Sequence, residues 1–428
     1  MFTSLKKTLI ISIDRIHFRI FRHPMSEEMK SFVRNLSYVT VSTFWVAAAM
    51  MIVQIVAGRI MGPDEYGKYA LVESIGSILV LVGSFGFHTS SVHFLAKDDD
   101  KKKILSASAA GFFFNLLVVF LLAWLTLPLW ADFFKVGHPV AIFSLLYMIF
   151  FSLQQMARSL MRGFNYMKQF AVYDSISTLI ALAGFYFLIR YTGHNFNLIA
   201  NTKFLAFGGF SLLVLYLIKD KFVRFKISDL KELYVYGALA FFGGIGTLIL
   251  TSADRLVVNY YLGAYSAGLY YAYVIASQAI TFQLLKSFLI IFFPASSRAE
   301  DKKALYTKMN LAYKKFGIPF FVFNILTTLG IFAFYGHGYP FSFGLIILFS
   351  ANSFISSIQQ IDMWLLNAFG HKGIKNSAVL MLAGALIFIL LSILSVKIFG
   401  ITGVIVSMIA TNILLALVQR IRIKKLVS

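Results

Sequence analysis

The sequence predicts an all-α polytopic integral membrane protein, with about twelve transmembrane helices in two six-helix bundles related by a parallel repeat. Three observations carry this. Hydrophobic residues fill 59% of the 428 positions and charged residues 13%, with a mean hydropathy of +0.79, more apolar than a water-soluble domain tolerates. Apolar runs of about 20 residues, the length that crosses a ~30 Å hydrocarbon core, recur along nearly the whole chain and leave no room for a sizeable soluble domain. A Gly-x4-Gly-x-Tyr pattern occurs twice, as Gly62, Gly67, Tyr69 and as Gly263, Gly268, Tyr270, at a constant offset of 201 residues, close to half the chain.

Residues 1–34 are expected to form a basic cytoplasmic segment. Within it, Asp14, Arg15 and Arg19 interrupt the apolar run, so Thr8 to Phe21 is expected to lie on the membrane surface as an amphipathic helix ended by Pro24. The first bundle, 35–218, holds segments near 37–60, 67–94, 104–128, 138–161, 169–189 and 197–218. A basic linker, 219–233, leads to the second bundle, 234–420, with segments near 235–261, 266–295, 316–335, 341–367, 377–398 and 400–419. A basic tail, 421–428, closes the chain.

The formal charge of +21 is spread over alternate loops rather than gathered into a nucleic-acid-binding patch. The N-terminal arm, every second loop and the C-terminal tail hold about 31 of the 39 Lys and Arg, against about 6 on the other face, which predicts cytoplasmic termini. Six helices per half then give both halves the same orientation. A second echo, Ser152-Leu-Gln-Gln155 against Ser357-Ile-Gln-Gln360, followed by Gly163 and Lys168 against Gly370 and Lys375, supports the duplication. Cysteine is absent, which excludes disulfide and thiol chemistry.

Locally, Gly62 suits a left-handed cap, and Pro63, Asp64 and Glu65 suit the first turn of the next helix, so the motif reads as a tight external hairpin. Gly67 and Gly268 would let neighbouring helices approach closely, with Tyr69 and Tyr270 at interfacial depth. The motif is expected to be structural and to touch no substrate.

Gly62-Pro-Asp-Glu-Tyr-Gly-Lys-Tyr69, and Ser252-Ala-Asp-Arg255 leading to Gly263 and Gly268-Leu-Tyr-Tyr-Ala272, resemble the polysaccharide-biosynthesis branch of the multidrug/oligosaccharidyl-lipid/polysaccharide exporter (MOP) superfamily, which includes the O-antigen flippases. The resemblance runs from about residue 35 to the end of the chain. It implies a V-shaped pair of six-helix bundles that moves an undecaprenyl-diphosphate-linked oligosaccharide from the cytoplasmic to the periplasmic leaflet of the bacterial inner membrane. Gly400-Ile-Thr-Gly403 opens the last segment without a counterpart in the first bundle, a departure from strict symmetry.

A charge in the hydrocarbon core costs about 2.5–3.5 kcal/mol on insertion scales, so each asks for a reason. Arg59, Arg158, Asp174, Arg190 and Asp362 lie near helix ends, where snorkelling suffices. Asp254 and Arg255 sit about two turns inside segment 7; adjacent helical residues diverge by about 100°, so they are not expected to neutralise each other simply. An arginine there suits a diphosphate, through paired hydrogen bonds, or an interhelical ion pair. The repeat sets Arg255 opposite Gln54. Expected contributors to a diphosphate or sugar site are therefore Arg255, Lys286, Gln54 and Arg59, with Asp254 and Glu73 as candidate carboxylates for H+ or Na+ coupling. Buried amides including Asn115, Gln154, Asn324, Asn352, Gln359 and Gln360 make a polar interior or ordinary interhelical bonds. The tyrosines at 260, 261, 265, 270, 271 and 273 are expected in an aromatic belt, and His88 and His93 in packing.

No metal-ligand spacing, nucleophile elbow or phosphate-cradling glycine loop stands out, so neither catalysis nor a resident cofactor is expected. The alternatives are a multidrug cation antiporter of the same superfamily and a polytopic glycan polymerase or glycosyltransferase. Expected partners are the polyprenyl-linked cargo, membrane lipids and other polysaccharide-assembly proteins.

Overall fold

The computed structural model describes residues 27–97, 100–191, 193–298, 301–336 and 338–427. The amphipathic helix expected at 8–21 lies outside them. The described residues form helices and connecting turns with no strand: α1 (Glu27–Ser84), α2 (Phe87–Lys97), α3 (Lys101–Leu125), α4 (Leu127–Phe133), α5 (His138–Gly163), α6 (Met167–Tyr191), α7 (Asn197–Ile218), α8 (Ile227–Arg298), α9 (Lys302–Ala333), α10 (Phe343–Asn367) and α11 (His371–Val427). A short 3-10 turn, Lys219–Lys221, joins α7 to α8.

Nine of these helices are long and apolar enough to cross a membrane, and three of the nine, within α1, α8 and α11, run for 47, 63 and 55 residues. Each of the three is broken at a glycine: Gly62 (φ 76, ψ 171), Gly263 (φ 83, ψ 172) and Gly400 (φ 57, ψ −137). At Gly62 the backbone is not in the left-handed helical cap expected from sequence; there and at Gly263 it holds positive φ with ψ near 170°, a region open essentially to glycine alone.

Each break reverses the chain. A straight helix rises about 1.5 Å per residue, so partners 12 or 16 residues apart would stand roughly 18–24 Å apart. Instead the Tyr66 hydroxyl donates to Gln54 Oε1 at 3.3 Å, the Arg255 guanidinium lies 5.1 Å from the Tyr271 ring centroid, and the Ser395 and Ser407 hydroxyls are 2.8 Å apart. Counting both arms of these hairpins turns the nine spans into twelve helical arms.

The two halves meet where the repeated motif predicts close approach. A Cβ built on Gly67 would sit 2.8 Å from the carbonyl carbon of Ala264, and one built on Gly268 would sit 2.8 Å from that of Pro63, with the carbonyl oxygens nearer still. Pro63 and Ala264 are 201 residues apart, as are Gly67 and Gly268, so the contact is self-complementary about a local two-fold axis. This seam closes the end of the molecule that carries the hairpins at Gly62, Gly263 and Gly400, the hairpin end. At the opposite, linker end, Gly86 packs against the backbone of Gly237, and His93 stacks on Tyr236 with centroids 4.6 Å apart.

Several charges expected to snorkel are instead paired within a half. Arg158 Nη2 lies 2.6 Å from Asp174 Oδ1, and Arg420 Nε lies 2.7 Å from Asp362 Oδ2. Asp174 and Asp362 are buried, so solvation is replaced by a partner rather than retained. The aromatic belt is also corrected. Tyr260 and Tyr265 are exposed, but Tyr69, Tyr270, Tyr271 and Tyr273 are buried in the core. Packing has drawn the motif tyrosines inward, where each hydroxyl needs a partner.

Candidate functional site

The hairpin-side arms bring two acids, Glu73 and Asp254, and two cations, Lys203 and Arg255, of the apolar interior close together. Glu73, on the second arm of α1, accepts three bonds at Oε2: from Tyr69 at 2.8 Å, from Lys203 of α7 at 2.9 Å and from Tyr271 of α8 at 2.8 Å. Tyr271 belongs to the other half, so the carboxylate is held across the seam. The Tyr271 hydroxyl also lies 3.2 Å from Gln54 Oε1. Its single proton serves one acceptor at a time. Tyr66 extends the network, its hydroxyl 3.1 Å from that of Tyr335, while Tyr339 donates to the Gly58 carbonyl at 2.8 Å. An unbroken polar chain thus runs from α7 through both arms of α1 to α8 and to Tyr335 in the turn after α9.

Arg255 stands beside this chain, with its guanidinium over the Tyr271 ring. The expectation that Asp254 and Arg255 would not neutralise each other is overturned. Asp254 Oδ1 accepts from the Arg255 backbone N–H at 2.9 Å and lies 3.4 Å from its Nε. Arg255 Nη2 donates to the Thr251 carbonyl one turn earlier. The carboxylate folds back along the helix and the long arginine stem bends to meet it, which the divergence of Cα–Cβ vectors alone does not forbid.

Asp254, Arg255 and Lys286 line one cavity of about 230 Å³ in the second half. Gln278, Asn352, Gln359, Gln360 and Asn412 share its wall, so three of the amides expected from sequence, Asn352, Gln359 and Gln360, converge here, joined by Gln278 and Asn412. Asn412 Nδ2 donates to Asn352 Oδ1 at 3.0 Å across the cavity wall. Asn324 instead serves packing, bonding Thr281 and the Ser350 carbonyl. Lys286 lines the cavity with no acidic partner among the described residues. The chemistry on offer is cation and amide donors in an apolar frame, suited to an oxyanion.

Gln54 reaches this region only through Tyr271, in keeping with its position opposite Arg255 in the repeat. Arg59 does not join it: its side chain is exposed and lies against Gly336 at the hairpin end. Among the described residues no group of three His, Cys, Asp or Glu is arranged to hold a metal ion.

A polysaccharide biosynthesis protein family model matches residues 32–300, more than half of the chain. The chain belongs to that family. Solved structures agree on the fold of this polysaccharide biosynthesis family member. A multidrug resistance MATE transporter of the MOP superfamily, described as inward-facing, aligns with a TM-score of 0.62 at 13% identity, covering 89% of this chain and 95% of that one. The lipid II flippase MurJ, in an inward closed conformation, aligns at 0.59 and 17% identity, covering 90% and 87%. A MOP superfamily transporter from Pyrococcus furiosus Vc1 aligns at 0.55 and 14%, covering 93% and 96%. No curated protein matches the sequence. At these identities what the chain shares with the MOP-superfamily transporters is their fold.

Lys203 is the paired interior cation that the sequence does not single out. It lies six residues inside an apolar segment and is buried, a signal as strong as that of Asp254. Its partner is 130 residues away in the chain, and no local pattern announces such a pairing.

Proposed function

We propose that this protein is a flippase that carries an undecaprenyl-diphosphate-linked oligosaccharide from the cytoplasmic to the periplasmic leaflet by alternating access between its two bundles. The observation that supports this best is the cavity that Arg255 and Lys286 share with five amides. Arg255 donates to the diphosphate as the planar fork, Lys286 adds charge from the linker-end side, and the amides meet sugar hydroxyls while the prenyl tail stays in lipid. In this scheme the twelve arms are twelve crossings, both termini are cytoplasmic, and the glycine seam closes the periplasmic mouth.

Moving the diphosphate past the seam requires the Glu73 network to part, because its bonds to Tyr271 join the halves. A proton or Na+ that competes with Lys203 and Tyr271 for Glu73 would loosen it, which makes Glu73 the coupling carboxylate in this scheme. Asp254 bonds Arg255 within its own half and does not bridge the seam. Because both carboxylates already have cationic partners, a cation-drug antiporter is the less suited alternative.

The test is a deletion strain examined for accumulation of lipid-linked repeat units, complemented by wild type and by Arg255→Ala. Accumulation relieved by wild type and not by the variant is expected. Full rescue by Arg255→Ala removes the arginine from the mechanism, and no glycan phenotype on deletion defeats the assignment.

A further inference from the structure

A second cavity, of about 550 Å³, opens on the hairpin end and is built from both halves. Its wall includes Lys68 and Lys135 from the first half and Asn259, Tyr260 and Tyr261 from the second, with Gly263 and Ala264 at its edge. Ala264 is the residue whose carbonyl meets Gly67 in the seam. The cavity therefore sits directly over the line along which the halves would part.

Its chemistry is unusual for this end of the molecule. Cations are scarce there, about six of the 39 in the chain, yet two of them sit against one tyrosine pair and Lys68 lines the same cavity. Lys135 Nζ lies 3.9 Å above the Tyr260 ring and donates to the Tyr260 carbonyl at 3.2 Å. Lys397 Nζ lies 5.6 Å from the Tyr261 ring centroid. Lys68 is neutralised by Asp64 at 2.9 Å and Glu65 at 2.5 Å, whereas Lys135 has no acidic partner among the described residues. Asn259 fixes the strap that carries Lys135, donating to the Phe134 carbonyl at 3.1 Å. Lys135 itself holds positive φ, 53°, a conformation uncommon outside glycine and kept here by contacts from the opposite half.

We propose that this cavity is a receiving site for the glycan, selective for saccharides that carry a carboxylate. It rests on the flippase function proposed above, and adds to it the class of sugar and a second place where the sugar is held. Tyr260 and Tyr261 offer faces for the C–H side of a pyranose, Asn259 and the exposed backbone at Gly263 offer hydrogen bonds, and Lys135, a cavity-lining cation without an acidic partner among the described residues, selects an acidic residue. A volume of this size lies within the range of small-molecule sites. The saccharide would bridge the two halves over the closed seam, and its departure would follow the release of Lys135 from Tyr260.

The test is saturation-transfer NMR on the full-length protein in nanodiscs with trigalacturonate and, in parallel, galactotriose. Expected are transfer to trigalacturonate, at least tenfold weaker binding of galactotriose, and at least tenfold weaker trigalacturonate binding for Lys135→Ala and Tyr260→Ser, with Tyr260→Phe close to wild type. Binding of neither sugar overturns the site; equal binding of both overturns the acidic selectivity. Binding unchanged in Lys135→Ala and Tyr260→Ser places the sugar elsewhere. Lys135 and Tyr260 are exposed, and a thermal melt of each variant separates loss of binding from loss of fold. If trigalacturonate binds but the deletion strain accumulates no lipid-linked units, the flippase function fails and the site stands. If units accumulate and nothing binds, the reverse holds.

Discussion

Replacing the seam glycines should shift the protein away from the state closed at the hairpin end. A Cβ on Gly67 would lie 2.8 Å from the Ala264 carbonyl carbon and 2.8 Å from the Gly268 nitrogen. Ordinary contact between carbon atoms needs about 3.5–4.0 Å, so the helices must separate by roughly 1 Å. The opposing atoms are backbone, at the start of the second arm of each hairpin, so no side chain is free to move aside. Overpacking of this kind costs about 1–3 kcal/mol. Charged to the closed state alone, that is roughly a 5- to 150-fold shift in its equilibrium with any state in which the seam is open. Because the chain lacks cysteine, spin labels at two introduced cysteines report the separation cleanly. Tyr191 in the first half and Phe399 in the second are exposed positions at this end. Electron-electron distance distributions should move to longer values for Gly67→Ala and for Gly268→Ala, by similar amounts because the contact is two-fold. Gly330→Ala, where a Cβ meets nothing within 4 Å, should leave the distribution unchanged. Distributions identical to wild type for both seam variants would refute the proposition that this contact determines closure.

The buried pair at the seam gives a second expectation. Lys203→Met leaves Glu73 without its cation and should lower the melting midpoint, by an amount on the order of 3 kcal/mol, while Lys203→Met with Glu73→Gln should recover most of it in a double-mutant cycle. Tyr271→Phe removes the bond from the opposite half but keeps the ring under Arg255; it should widen the same spin-label distances with a smaller loss of stability, of about 1 kcal/mol. Gly263→Ala has open space for the new methyl yet must hold positive φ, so a fall in stability of about 1–2 kcal/mol is expected, measured by thermal melting in detergent.

Much of the fold was legible because it is written in repeats and breaks. The offset of 201 between motifs became, in three dimensions, the offset between the partners in the seam, and the Gly-Pro of the first hairpin marked a reversal correctly even though its ψ departs from a helical cap. Gly67 and Gly268 were read as sites of close approach, and they are. The side-chain pairings were less legible, for identifiable reasons. Lys203 and Glu73 meet through tertiary packing that no local spacing encodes. Asp254 and Arg255 meet because rotamers can bend across an angle that Cα–Cβ directions suggest is too wide. Tyr270 and Tyr271 look like belt residues by hydropathy alone; Tyr270 is buried against Phe349 of its own half, and Tyr271 against Tyr66 and Tyr69 of the opposite half. Arg59 carried the right charge for an anion site, but the hairpin end takes it out to the surface.

The most direct measurement is translocation itself. Purified protein reconstituted into proteoliposomes with a fluorescent undecaprenyl-diphosphate oligosaccharide can be assayed by the fraction of lipid that an impermeant sugar-modifying enzyme reaches. Loss of leaflet asymmetry with wild type, together with at least a tenfold slower loss with Arg255→Ala in the 230 Å³ cavity, is the expected result. Asymmetry that persists with active wild-type protein, or that collapses as fast with Arg255→Ala combined with Lys286→Ala, would contradict it.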